Sequence, residues 1–541
     1  MTRRSRSTPA RPEPLPSPAV YQLLITRKYL TARIMPLLAA LAVALCTAMV
    51  LIVWSVMGGF LSTFMTSGRT ISGDLVIEWP NAGFGHYQDL IGRLEKHPLI
   101  TAAAPTIESF GLITLPDGRR ETVIIRGIDG QSFAKVSNYN EILWWRPIDK
   151  PVERDTKRMD LRLKAENRQA LEQVLQNGLS LTRTDPRTGL AAPAVVPGIH
   201  VTGTSYRDGE HGIYFRSIRD TFNADGTKSE TSAFAPLDSF VTLHVAPSDT
   251  SGNVIQMATR RLPVANEFMT GTFEADNKIV FIQLDELQRM LQMHEAPRTE
   301  KGGFRIEIDP KTGDERLVDD AKVIGVDPAR VTNVVVRGKE DVSDEAALER
   351  LKAAAEEVYA EFAQAHRGEV PHEGNIRIKT WIDMNSTIIN AVKKEISLVL
   401  VLFIIISLVA VFLVLSIFWS MISEKTRDIG ILRAMGASRS GVAGLWLFYG
   451  FLLGLTGAIL GTALAYTIVL NINPIHEWLG RALGIQVWDP RIYYFTVIPA
   501  KVDTFHASLV FAGGVFSAVL GALIPALHAA RMNPVRALRF E

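Results

Sequence analysis

Four uncharged apolar runs, residues 34–60, 396–422, 441–470 and 505–529, constrain this chain more than any other feature of its sequence. Each is long enough, at roughly 20 residues or more, for an α-helix to cross a bilayer with some tilt. Within a bilayer, only helices and closed barrels satisfy every backbone N–H and C=O. Hydrophobic residues make up 47% of the chain and charged residues 21%, yet the mean hydropathy is only +0.13. The apolar residues are therefore concentrated. The fold class expected is a membrane protein of four transmembrane α-helices, with a large α+β extracytoplasmic (periplasmic) domain between helices 1 and 2.

The net charge of +2 says little, but its distribution orients the chain. Arg3, Arg4, Arg6, Arg11, Arg27, Lys28 and Arg33 precede the first run; Lys425, Arg427, Arg433 and Arg439 follow the second; Arg531, Arg536 and Arg539 close the chain. By the positive-inside rule all three clusters belong on the cytoplasmic side. With four spans this is self-consistent: both termini are cytoplasmic and the large insert lies opposite. The one cysteine, Cys46, sits mid-span, so no intrachain disulfide can brace the outer domain.

The expected organisation follows. Residues 1–20 are rich in Pro, Ser and Arg and form a disordered tail; 21–33 form an interfacial amphipathic helix; 34–60 are transmembrane helix 1. Residues 61–385 are the outer domain, with a polar insertion at about 141–231. Residues 386–422 form a stalk and helix 2, because Ile388, Ile389, Val392 and Ile396 recur at helical spacing ahead of the bilayer. Then come a charged loop at 423–438, helix 3 at 439–470, a second outer loop at 471–504, helix 4 at 505–530 and a tail at 531–541. In the outer domain the patterning predicts strands at 73–80, 240–245, 254–264, 278–282 and 376–380. Helices are predicted at 86–97, 160–176, 284–293 and 345–365, and a turn at Pro116-Asp117-Gly118.

Motifs for chemistry are missing. There is no GxxxxGK[ST] phosphate loop, no HExxH and no GxSxG, and the histidines show no ligand spacing, so no catalytic and no metal-binding residues are expected. Ionisable groups deep in the spans, which a proton or ion pathway needs, are also lacking, apart from His528 near one end. Gly450, Gly454, Gly457 and Gly461 form two GxxxG pairs on span three, where small residues let helix backbones approach. That approach can be packing within one chain or a seam between two.

The charged loop itself is short and amphipathic. Its sequence EKTRDIGILRAMGAS at 424–438 resembles the cytoplasmic signature of ABC permeases of the FtsX/MacB superfamily, and the lipoprotein-releasing LolC/LolE type fits best. RKYL at 27–30, SVMGGF at 55–60, KIVFIQLDELQRML at 278–291, TWIDMN at 380–385, IYYFTVIPAKV at 492–502 and IPALHAARMNPVRALRFE at 524–541 support it. The insertion and part of residues 296–328 have no counterpart in that resemblance.

The resemblance implies a permease subunit of the inner membrane that is not itself an enzyme. It pairs with a second permease, identical or related, on separate ABC ATPase subunits. This chain binds no cofactor, and ATP and Mg2+ belong to the ATPase. ATP-driven closure would move stalks and outer domains, lifting lipoproteins to a periplasmic carrier; lipids are the other partner and nucleic acid is not one. In this chain Ile429, Leu432 and Met435 would form the apolar stripe of a coupling helix docking in an ATPase groove, rimmed by Glu424, Lys425, Arg427, Asp428 and Arg433 and ended by Gly436. Trp54, Met57 and Phe60 of span one and Leu398, Leu402 and Ile405 of span two would contact acyl chains. A MacB-like export permease and an FtsX-like regulator of cell-wall hydrolases are the alternatives.

Overall fold

A computed structural model describes residues 34–80, 82–149, 165–184, 189–202, 217–222, 228–234, 236–247, 256–299, 304–308, 315–319, 323–339, 345–483 and 497–538. The expectations for 1–20 and 21–33, for parts of 141–231 and of 471–504, and for the last three residues lie outside this set. Two units have separate cores, one made of residues 1–62, 390–488 and 498–541, the other of 63–389 and 489–497.

The second unit is built on a nine-stranded sheet. Its strands are β1 Leu75–Glu78, β2 Ile100–Thr114, β3 Arg120–Ile128, β4 Val195–Pro197, β5 Phe240–Val245, β6 Ala258–Pro263, β7 Ile279–Gln283, β8 Asn333–Gly338 and β9 Arg377–Thr380. The order is β9-β1-β8-β2-β3-β7-β4; β5 also pairs with β2, and β6 with β5. Only β3 and β7 run parallel. Successive residues of a strand face opposite sides, and here both sides are covered. Leu75 and Ile77 enter one core and Val76 the other; Val334 and Val336 are divided in the same way from Val335, and Val280 and Ile282 from Phe281. This two-sided burial is why the strands are nearly continuous apolar runs instead of alternating ones.

Helices α1 Tyr87–Leu94 and α2 Glu345–Ala365 cover the first face, through Leu90 and Leu94 and through Leu351, Ala355, Tyr359 and Phe362. The aromatic residues Phe133, Tyr139, Phe268 and Phe281 fill the second face. Helix α2 and strand β5 occupy the residues that patterning predicts for them, and the turn at 116–118 joins β2 to β3. Strand β4 falls inside the block expected as an insertion, yet it pairs with β7 of the main sheet. Tyr139 Oη donates to the Gly178 carbonyl at 2.9 Å, tying the helix Arg168–Ser180 of that block to the second core.

In the other unit, four helices are long and apolar enough to cross a membrane among the described residues. They belong to Ile34–Ser72, Ser386–Glu424, Arg439–Leu470 and Thr504–Arg531, called spans one to four. Span one outruns its apolar core to Ser72, and span two begins at Ser386. Small residues set how closely these helices pack. A Cβ at Gly450 or Gly454 would lie 2.7 Å from Ala522 or Ala518 of span four, and one at Gly457 or Gly461 would strike the Ala40 or Ala44 carbonyl of span one. Both glycine pairs thus face neighbours within the same chain.

Candidate functional site

The loop between spans two and three forms a helix at Thr426–Ala434. Its start is tied to the preceding span by Thr426 Oγ1, which donates to the carbonyls of Ile422 at 3.1 Å and Ser423 at 2.8 Å. Lys425 Nζ and Asp428 Oδ2 pair at 2.9 Å across its first turn. Its end is a Schellman motif: Ala437 N donates to Leu432 O, Gly436 N donates to Arg433 O, and Gly436 takes φ +98. Arg433 Nη1 donates to Ala437 O at 2.9 Å. Ser438 then caps span three, its Oγ accepting from Gly441 N at 3.0 Å. The chain thus turns between two spans with the C-terminal end of the loop helix and the start of span three both capped.

The side chains divide by face in a way that helical spacing did not reveal. Ile429 is only 2% exposed and packs with Ile422, Val442, Trp446, Ala526 and Ala530. Leu432, Lys425 and Arg433 are half-buried. The outward face carries Glu424, Arg427, Ile431 and Met435, with Ile431 43% and Met435 73% exposed. The expected docking stripe of Ile429, Leu432 and Met435 is therefore corrected: Ile429 holds the helix onto the bundle, and the exposed apolar residues are Ile431 and Met435. A short helix at Pro534–Leu538 packs beside it, started by Asn533, whose Oδ1 accepts from Val535 N at 3.1 Å. This helix buries Ala537 and was missed as a support for the loop, although Asn-Pro is a helix-start signal.

The residues expected to touch acyl chains differ in exposure between the two spans. Leu398, Leu402 and Ile405 are about half or more exposed, while Trp54, Met57 and Phe60 are half-buried, Trp54 resting on the His506 ring at 4.8 Å. Spans one, two and four line a cavity of about 20 Å3 beside Thr47, Phe403 and Ser407, room for one water-sized body and not for an acyl chain.

Residues 400–534 match the family model for the FtsX-like permease C-terminal domain. The lipoprotein-releasing system transmembrane protein LolC of Neisseria meningitidis is 25% identical over 164 residues, 30% of this chain and 40% of that protein. LolE of Haemophilus influenzae is 23% identical over 130 residues, 24% of this chain and 31% of that protein. The matched region thus spans about two fifths or less of these relatives' own length. Among solved structures, the periplasmic region of MacB from Actinobacillus actinomycetemcomitans matches at 11% identity and a TM-score of 0.24, covering 59% of this chain and 94% of its own.

Proposed function

We propose, from the premise that this chain is a permease of the FtsX/MacB superfamily similar to the LolC/LolE type, that it is the membrane subunit of an ABC transporter that releases lipoproteins from the inner membrane. The observation that carries the coupling role is the helix Thr426–Ala434, capped at its end, pinned by Ile429 and presenting Ile431 and Met435 beside Glu424 and Arg427. An apolar pair rimmed by charge on a short fixed helix suits a groove on a soluble partner. That partner is an ATPase subunit, which supplies ATP and Mg2+. The positive-inside distribution of Lys and Arg supports a cytoplasmic side for this helix and both termini and a periplasmic side for the sheet unit.

Binding energy released when the ATPase closes would reach the outer side through span two, a single helix from Ser386 to Glu424. The work is done on the periplasmic side, where a lipid-anchored protein is passed to a soluble carrier. The apolar flank of span two supports a role beside acyl chains or a second permease, because only 11% of its most apolar window is buried within the chain.

The test is reconstitution of the chain with its ATPase in proteoliposomes holding a fluorescent lipoprotein. ATP-dependent transfer to a soluble carrier is the expected result. Vigorous ATP hydrolysis with no lipoprotein released would sink the substrate assignment and favour export or cell-wall regulation.

A further inference from the structure

The sheet unit assembles a group of side chains that lie 280 residues apart in the sequence. His86 precedes helix α1 with φ 56, a left-handed conformation that is strained for a non-glycine residue. His366 follows the last residue of α2, and Glu369 lies in the turn beyond it, its N–H bonded to the His366 carbonyl. The two imidazole rings stack, 17° from parallel with centroids 4.2 Å apart. His86 Nε2 is 2.7 Å from Glu369 Oε2, and His366 Nε2 is 3.0 Å from Asp89 Oδ2, which also accepts from Arg93 Nε at 2.9 Å. One ligand atom from each of His86, His366 and Glu369 lies within 4.8 Å of the others.

We propose that His86, His366 and Glu369 form a Zn2+ site, with Asp89 orienting the His366 ring. Two imidazoles and one carboxylate, with a position left for water, are a donor set that Zn2+ accepts. Mg2+ and Ca2+ prefer oxygen alone. Around a tetrahedral Zn2+ with bonds of roughly 2.0–2.1 Å, ligand atoms stand roughly 3.4 Å apart, so His86 and Glu369 must open from 2.7 Å while no pair of ligand atoms has to move in from beyond 4.8 Å. The three side chains have the freedom: His86 and His366 are 28% and 22% exposed and Glu369 is 55% exposed. A carboxylate on the second nitrogen of a ligating histidine fixes ring and tautomer, the place Asp89 takes. The ion would staple the start of α1 to the end of α2, closing a long loop within the sheet unit. Spacing along the chain gave no sign of such a site.

The experiment uses the full chain in detergent, purified without a polyhistidine tag, and measures Zn2+ affinity by competition with a chromogenic chelator and by thermal melting. We expect one Zn2+ per chain and a Zn2+-dependent rise in the melting of the sheet unit that Mg2+ does not reproduce. His86→Ala and His366→Ala should each weaken binding by more than the roughly 10–100-fold typical of an outer-shell change, which Asp89→Asn should show. Glu369→Gln, at an exposed turn, should weaken Zn2+ binding while melting like the parent without metal, which separates ligand loss from misfolding. His372→Ala, an exposed histidine outside the cluster, should change nothing. No stoichiometric Zn2+ binding by the parent overturns the proposal, as does binding that survives in the His86→Ala/His366→Ala double variant or disappears in His372→Ala.

Discussion

Ile429 and Ile431 sit two positions apart on one short helix and have opposite fates, one inside the bundle and one at the surface. Substitution should separate them. Ile431→Asp or Met435→Asp should abolish stimulation of the proposed ATPase partner while the chain still inserts and melts normally; Ile429→Asp should instead cut the yield of folded protein, because a carboxylate would be buried without a partner. Equal stimulation in the Ile431 and Met435 variants would remove the docking role. A second residue-scale effect lies in the sheet unit, where Asp276 is fully buried and accepts from Thr270 N, Thr270 Oγ1 and Gly271 N. Burial pushes its carboxyl up to about 7 against those bonds, and burial pushes the imidazole of His200, whose backbone N–H donates to the Asp276 backbone carbonyl, down to about 4. For Asp276 the folded state holds the proton more tightly than the unfolded one, so ionising it costs stability as pH rises from about 4 to about 7. For His200 the unfolded state binds the proton first, so stability is lost as pH falls from about 6.5 to about 4. The two slopes oppose each other. Asp276→Asn should gain in melting temperature relative to the parent as pH rises through that window, and His200→Gln should gain as pH falls. Differences that stay flat from pH 4.5 to 7.5 would mean that neither burial is felt.

At the scale of elements, what was legible is what repeats locally. The 3.6-residue periodicity of Glu345–Ala365 marks that helix to the residue, and its buried face is Leu348, Leu351, Ala355, Tyr359 and Phe362. What was not legible depends on a second element. Gly461 reads only as a small residue until span one is placed against it, with the Ala44 carbonyl 2.4 Å from where a Cβ would stand. Gly461→Val should therefore destabilise the spans severely, read as loss of monodisperse protein in detergent, whereas valine at the open Gly444 should be tolerated. Just ahead of span two, the short helix Trp381–Met384 has its own local device. Thr380 and Asp383 form a capping box, Thr380 Oγ1 accepting from Asp383 N and Asp383 Oδ2 from Thr380 N, each at 3.1 Å. Burial works against ionising Asp383, but the Thr380 N–H and the ammonium of Lys352, 3.3 Å away on α2, hold its carboxyl below the usual range. Thr380→Ala should cost about 1 kcal/mol, seen as a lower melting temperature of the sheet unit.

At the scale of the molecule, the sheet unit and the helical unit carry separate apolar cores. Two melting transitions are therefore expected in detergent. The Asp276, His200 and Thr380 substitutions should move only one of them, and a change of detergent the other. A single transition shifted equally by both would show that the cores are energetically one.

The sequence by itself determined the four long apolar helices, strand β5, helix α2, the turn at 116–118 and the family that the loop at 424–438 resembles. Each is a local signal, set by hydropathy, charge or backbone preference over a few turns. The tertiary structure alone decided which face of the loop helix is free, because the C-terminal helix and the ends of three spans compete for its apolar side and take Ile429. It also decided that a strand inside the polar block joins the main sheet, and that His86 meets His366 and Glu369. Contacts between residues hundreds of positions apart leave no periodicity to read, because packing of whole elements fixes them.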